Sequence, residues 1–137
     1  MELSRNQIQT KIFECSYIYL VYRNMNISFD VEKIISEVCE DIYDNCDLFL
    51  RETILKMIIN YDSIKEIIEN NLVNWKFDRL SLIDRAILFM TISEYKYVGD
   101  IDKPVVINVG VTLAKRYSDE KNYKFINGIL DKILWTR

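Results

Sequence analysis

Only three glycines and one proline interrupt the 137 residues, so the backbone has few places to turn sharply without a side chain in the way. Long helices joined by short links fit that scarcity better than many short strands. The clearest helical patterns lie between Leu80 and Lys132. In the first, Ile83, Ala86, Ile87, Met90 and Tyr97 recur at spacings that fall on one face of a helix with about 3.6 residues per turn. Glu94 falls on the same stripe. A carboxyl there must find donors, because an unpaired buried charge costs several kcal/mol. A second helix is expected from near Pro104, whose missing N–H is harmless in a first turn. Its inward rows are Val106, Gly110, Leu113 and Tyr117 beside Ile107, Val111 and Ala114. Gly110 weakens a helix by about 1 kcal/mol, and a close helix crossing is the reason to keep it. A third helix, entered through Ser118 or Asp119, should bury Ile126, Ile129, Leu130 and Ile133. Lys121, Lys124, Phe125, Gly128 and Lys132 form its other side.

The first half follows the same rule. One helix is expected from Ser4, a plausible N-cap, to about Arg23, with Ile8, Ile12, Cys15, Tyr19 and Tyr22 on one stripe and Phe13, Tyr17, Leu20 and Val21 widening it. Asp30 should cap the next, which carries Val31, Ile34, Ile35, Val38 and Ile42. After a break around Asp44 to Asp47, a helix is expected to bury Leu50, Ile54, Leu55, Ile58 and Ile59. Another, from Asp62 or Ser63, uses Ile64, Ile67, Ile68 and Leu72. The β-branched run at Val105 does not read as a strand, because Pro104 precedes it and a helical pattern follows. The expected fold is therefore all-α.

Composition removes several functions. Without histidine, the commonest general base and the commonest transition-metal ligand are both missing. The isolated glycines form no phosphate-binding loop, and no GxSxG nucleophile motif occurs. No catalytic residue, metal site or cofactor is expected. Cys15, Cys39 and Cys46 are odd in number and contain no close pair, which reads as small buried thiols, the last two on one helical face. Charged residues interrupt every apolar run before the ~18 residues of a membrane span. The N-terminus lacks a signal-peptide core, so the cytoplasm is the expected location. A net charge of −3 argues against coating nucleic acid by bulk electrostatics, but leaves room for a local basic face.

Four pieces in order, LSLIDRAIL followed by SEY, VVIN with LAKRYS, and KFINGILDKIL, resemble the C-terminal half of the NusB family of bacterial transcription antitermination factors. The resemblance at motif level covers about Trp75 to Ile133. It implies one NusB-like domain over residues 1–137, with about seven helices in two small bundles, about 1–72 and 75–137, packed together. It also implies a function: binding boxA RNA of nascent ribosomal RNA transcripts together with NusE, a small-subunit ribosomal protein, within the RNA polymerase antitermination complex. Within the family, the position of Phe125 is tied to RNA, with Lys124 and Asn127 in the same motif, and the positions of Tyr17 and Asp84 are tied to the protein partner. The family also opens its first helix with an arginine-rich RNA-binding segment. Here that segment is SRNQIQTK, where only Arg5 and Lys11 are cationic. Since Lys and Arg contacts to phosphate supply much of nucleic-acid affinity, weak RNA binding by the isolated protein is expected. Val109 and Gly110 stand where the family has glutamate and alanine, a change that alters either a surface or only its packing.

The residues alone allow two readings of the last helix. Lys121, Lys124, Phe125 and Lys132, with Lys115 and Arg116 before them, can stack an unpaired base and meet phosphate. Alternatively, Phe125 is a core-edge aromatic and the lysines only solubilise the helix. Tyr17 can likewise be a core aromatic and Asp84 a helix cap. The net acidity suits a basic ribosomal protein as partner. The alternative function is a NusB-fold protein-binding adaptor that has lost RNA recognition. A further relationship, to the domain preceding rRNA cytosine methyltransferases, would require an enzyme segment that is absent before Arg137.

Overall fold

Seven α-helices and no strand make up residues 2–134, the part of the chain that the computed structural model describes. Helix α1 (Arg5–Asn24) starts with a reciprocal cap: Ser4 Oγ accepts from the Gln7 amide, and the Gln7 side chain accepts from the Ser4 amide at 2.8 Å. Asp30 caps α2 (Val31–Cys39) by accepting from the amides of Glu32 and Lys33. That helix stops earlier than its apolar pattern, because Glu40 turns left-handed at φ 56°. Ile42 therefore leaves the stripe and is 65% exposed. Asp47 caps α3 (Leu48–Ile59), and α4 (Tyr61–Asn70) follows after the single residue Asn60, slightly ahead of the expected start. In α3 the buried row is Leu50, Thr53, Ile54 and Met57. Ile59, expected inside, is 76% exposed. It lies two positions beyond Met57, about 200° round the helix.

Helix α5 (Leu82–Ser93) is the centre of the molecule. It packs against α1, α3, α4, α6 (Lys103–Tyr117) and α7 (Asn122–Ile133). Every residue from Ala86 to Ser93 is buried, so the expected single apolar face is an all-round one. Polar groups on such a helix must be satisfied locally. Thr91 Oγ1 donates back to the Ile87 carbonyl at 2.7 Å, and Ser93 Oγ donates across to the Thr53 carbonyl of α3 at 2.9 Å.

The helix then widens into a π-turn over Glu94–Val98, closed by the Gly99 amide donating to the Glu94 carbonyl at 2.8 Å. Gly99 sits at φ +83°, a conformation that side chains disfavour. The Glu94 carboxyl is buried as its spacing demanded, but it finds no hydrogen bond of normal geometry at either oxygen. Burial pushes it up to about 8; the nearby Gln9 amide and Arg5 oppose that shift without reversing it.

Helices α6 and α7 cross at Gly110. A Cβ there would lie 2.8 Å from Leu130 Cδ1 and 3.4 Å from Ile126 Cγ2, which is the close approach the glycine permits. Tyr117, assigned by sequence to the buried rows of α6, instead stacks on Phe13 at 4.8 Å and stays partly exposed. Helix α7 begins at Asn122 rather than at Ser118 or Asp119, because the Ser118 hydroxyl is used elsewhere and Lys121 adopts φ 72°. Its buried row, Ile126, Ile129, Leu130 and Ile133, is the one expected. Cys39 and Cys46 do not share a helical face, since Cys46 follows α2 in a separate turn. Cys15 and Cys46 are buried and Cys39 partly so. Burial raises the Cys15 thiol, and raises Cys39 to about 12. No helix among the described residues is long and apolar enough to cross a membrane.

Two outcomes follow for stability. Glu94 ordinarily titrates near 4.5 and does so near 8 when folded. Its neutral form is therefore favoured by folding, and stability should fall as pH rises from about 5 through 8. Chemical denaturation at pH 5 and pH 9 checks this, and Glu94→Gln should flatten the difference. Gly110→Val should destabilise by about 1–3 kcal/mol through overpacking against Leu130, read as a lower denaturant midpoint at constant slope.

Candidate nucleic-acid and partner interface

The start of α5 is tied to the α6–α7 connection by one carboxylate. Ser81 caps the helix by accepting from the Asp84 amide at 3.1 Å. The Asp84 side chain turns the other way, accepting from Ser118 Oγ at 2.7 Å and from the Asn122 side-chain amide. Asn122 also donates to Ser118 Oγ at 2.9 Å. With Asp84 only 5% exposed, this triangle fixes where α7 begins. Arg85 ties down the preceding turn, its guanidinium donating to the carbonyls of Leu80 and Asp78.

Above the triangle lies a groove of about 250 Å³ whose walls include Trp75, Arg79, Leu80, Asp84, Asn122 and Phe125. Phe125 is half-buried, with its inner part packed on the core. It is thus both the core-edge aromatic and the groove wall that the sequence offered as alternatives. Trp75 is 57% exposed and Arg79 is also exposed. The sequence reading assigned neither to a site, although an unpaired tryptophan in the connection between the two halves is itself a signal. Lys121 and Lys124 are exposed along the same end of α7. Asn127 faces the opposite flank, in a separate groove with Lys103, Pro104, Ile107, Tyr123 and Asp131. The structure therefore divides the KFIN motif between two sides of its helix.

The N-terminal cations are occupied. The Arg5 guanidinium lies 4.2 Å over the Phe49 ring of α3. Lys11 Nζ donates to the Val38 carbonyl at 3.1 Å, which serves the C-terminal end of α2. Both border a groove that also contains Glu2, Glu40, Asp41 and Asp47. A phosphate entering there meets four carboxylates for two cations. Arg5 and Lys11 thus share no groove with Phe125. Tyr17 is 37% exposed on α1, beside the Phe13–Tyr117 stack at 6.5 Å from Phe13. It is a surface aromatic rather than a core one.

The description "NusB family" belongs to a family model that matches residues 12–134. A transcription antitermination protein NusB of Finegoldia magna is 42% identical over 122 residues, spanning 87% of this chain and 88% of that protein. One of the same description from Listeria monocytogenes is 38% identical, over 75% of this chain and 78% of that one. Among solved structures, NusB of T. maritima superposes with a TM-score of 0.82 at 29% identity, covering 98% of this chain and 92% of that one. A chain from a crystal structure of antitermination factors NusB and NusE in complex with dsRNA has the same fold. Its TM-score is 0.78 at 24% identity, with 95% of each chain covered.

Asp84→Ala should remove the shared acceptor of Ser118 and Asn122 and destabilise by about 1–3 kcal/mol. Ser118→Ala should cost less, because Asn122 keeps its bond to Asp84. Thermal unfolding of both variants checks the order.

Proposed function

Because this chain belongs to the NusB family, which the match over residues 12–134 and 42% identity to a curated relative establish, we propose that it is a transcription antitermination factor. In this reading it binds boxA RNA of nascent ribosomal transcripts jointly with a NusE-type ribosomal protein, as part of the RNA polymerase antitermination complex in the cytoplasm. The family match carries the reading. It works by adding weak contacts on one RNA, without chemistry of its own. We place the division between the N-terminal bundle, about 1–72, and the C-terminal bundle, about 75–137, near Asn71 to Asp78.

Phe125, Lys121 and Lys124 are assigned to RNA, with Trp75 and Arg79 beside them. An aromatic wall edged by exposed cations suits unpaired bases and phosphate. Asn127, on the other flank, and Arg5 and Lys11, in the acidic groove, are assigned secondary RNA contacts. Tyr17 is assigned to the protein partner, because its ring is open to solvent. Asp84 shapes that surface from behind, holding Ser118 and Asn122 in place.

A second reading has one observation in its favour. The N-terminal cations are engaged within the fold, so the chain could retain the partner surface and lack RNA recognition. Fluorescence anisotropy with labelled boxA RNA and a scrambled control, with and without NusE, separates the two. Selective binding that strengthens when NusE is added supports antitermination; an intact protein complex with no selective gain supports the adaptor. Phe125→Ala should weaken boxA binding by about tenfold, from the loss of one stacked base, with no change in the partner's affinity.

A further inference from the structure

Two buried acceptors meet where α1 lies against the π-turn. Glu94 is fully buried, and neither of its carboxyl oxygens has a partner. Gln9 of α1 lies beside that carboxyl, 4% exposed, with its own Oε1 buried and unpartnered. An amide oxygen only accepts, and so does an ionised carboxylate. Left that way, the pair would hold lone pairs against lone pairs, with two desolvated acceptors and a buried charge. Gln9 also borders a groove of about 160 Å³, with Asn6 on the α1 side and Asn108 on the α6 side, whereas Glu94 does not. The Gln9 side chain therefore stands between the carboxyl and solvent.

One proton removes the conflict. A carboxyl O–H donates to the amide oxygen and turns two orphaned acceptors into one hydrogen bond. The charged groups nearby offer no other partner. Arg5 of α1 favours the ionised form, but its guanidinium lies 4.2 Å over the Phe49 ring and leaves both Glu94 oxygens unpartnered. Elsewhere on α1, Lys11 donates to the Val38 carbonyl and Glu14 is exposed. On α3, Arg51 lies 5.1 Å from the centre of the Tyr43 ring, and Glu52 and Lys56 are exposed. On α6, Lys103 pairs with Asp131 at 3.2 Å, and Lys115 and Arg116 lie by the Tyr123 and Tyr117 rings. Asp84 and Arg85 are bonded to groups at the far end of α5, and the turn itself adds Tyr95, Lys96 and Tyr97.

We propose that Glu94 and Gln9 form a proton-held latch, in which the protonated carboxyl donates to Gln9 Oε1 and holds the opening turns of α1 on the π-turn. Removal of the proton leaves two acceptors face to face, and the new charge reaches water past Gln9, through the α1–α6 groove. The opening turns of α1 and the π-turn then part while the other helices stay packed. Burial favours the neutral carboxyl and keeps the latch closed up to about pH 8. The latch needs no partner, so it stands or falls apart from the function proposed above.

The test is amide hydrogen exchange of the full chain from pH 5 to pH 9, corrected for the intrinsic effect of pH and repeated in low denaturant. Opening exposes a carboxyl that titrates near its ordinary 4.5, against about 8 when latched. Protection of residues 5–12 and 94–98 should therefore fall from about pH 5 to about pH 8 and level off above. The limit for one proton is about tenfold per pH unit. This exchange should scarcely respond to denaturant, because the opening exposes little surface, whereas global unfolding responds steeply. Glu94→Gln, whose amide N–H replaces the O–H, should hold protection level across the range. Gln9→Leu, which removes the acceptor, should lower protection of residues 5–12 already at pH 5. Infrared difference spectra at pH 6 should show the C=O stretch of a protonated carboxyl, absent in Glu94→Gln and shifted in Gln9→Leu. A pH-dependent loss that is everywhere steep in denaturant overturns the latch in favour of a buried acid that acts only on global stability. Protection independent of pH at residues 5–12, or no protonated carboxyl at pH 6, overturns it outright.

Discussion

Burial of α5 on every side is the constraint on which the rest depends. A helix enclosed by five others contributes about 1.5–3 kcal/mol for each large apolar side chain it removes from water. It also forbids unpaired polar groups along its length. Thr91 and Ser93 meet that demand with backbone carbonyls as acceptors. Glu94, at the helix end, leaves both carboxyl oxygens without a partner, and burial favours its neutral form, which costs less than a buried charge. The π-turn that starts at Glu94 and closes on Gly99 ends the helix where the enclosed region ends. At the other end, Asp84 provides acceptors for Ser118 and Asn122 and so connects the central helix to the surface where α7 starts.

That connection explains why the proposed binding residues cluster there. Phe125 can form a groove wall because Ile126, Ile129 and Leu130 anchor its helix, while the Asp84 triangle sets where the helix begins. The side chain is half core and half surface, which gives a rigid ring without much lost rotamer freedom on binding. Trp75 and Arg79 arrive from the connecting segment, Arg79 at the end of a short 3-10 turn over Phe77–Arg79.

Charge is distributed to match. The two cations of the first helical turns are committed to Phe49 and to the end of α2, inside an acidic groove. At the start of α7 and the end of α6, Arg116, Lys121 and Lys124 are exposed. An overall negative charge and a local nucleic-acid surface are therefore compatible, because screening at physiological salt confines each charge's influence to about 8 Å.

Local chemistry determined most of the helices. Ser4, Asp30, Asp47 and Ser81 are caps by virtue of their own side chains, and Pro104 fits only a first turn. The burial of Glu94 and the close approach at Gly110 were also legible, since helical periodicity alone puts both on an inward face. The sequence did not determine how many neighbours each helix has. α5 shows this, because a one-faced pattern and an all-round one differ only in what surrounds the helix. It did not place Ile42 or Ile59, whose exposure follows from where α2 ends and which side of α3 meets α5. Nor could it show that Lys11 serves α2, or that Asn6 and Asn108 face one another. These are distances between helices, and only packing sets them: a helix's own period fixes the angle between its side chains, while the tertiary structure decides which partner stands at each angle.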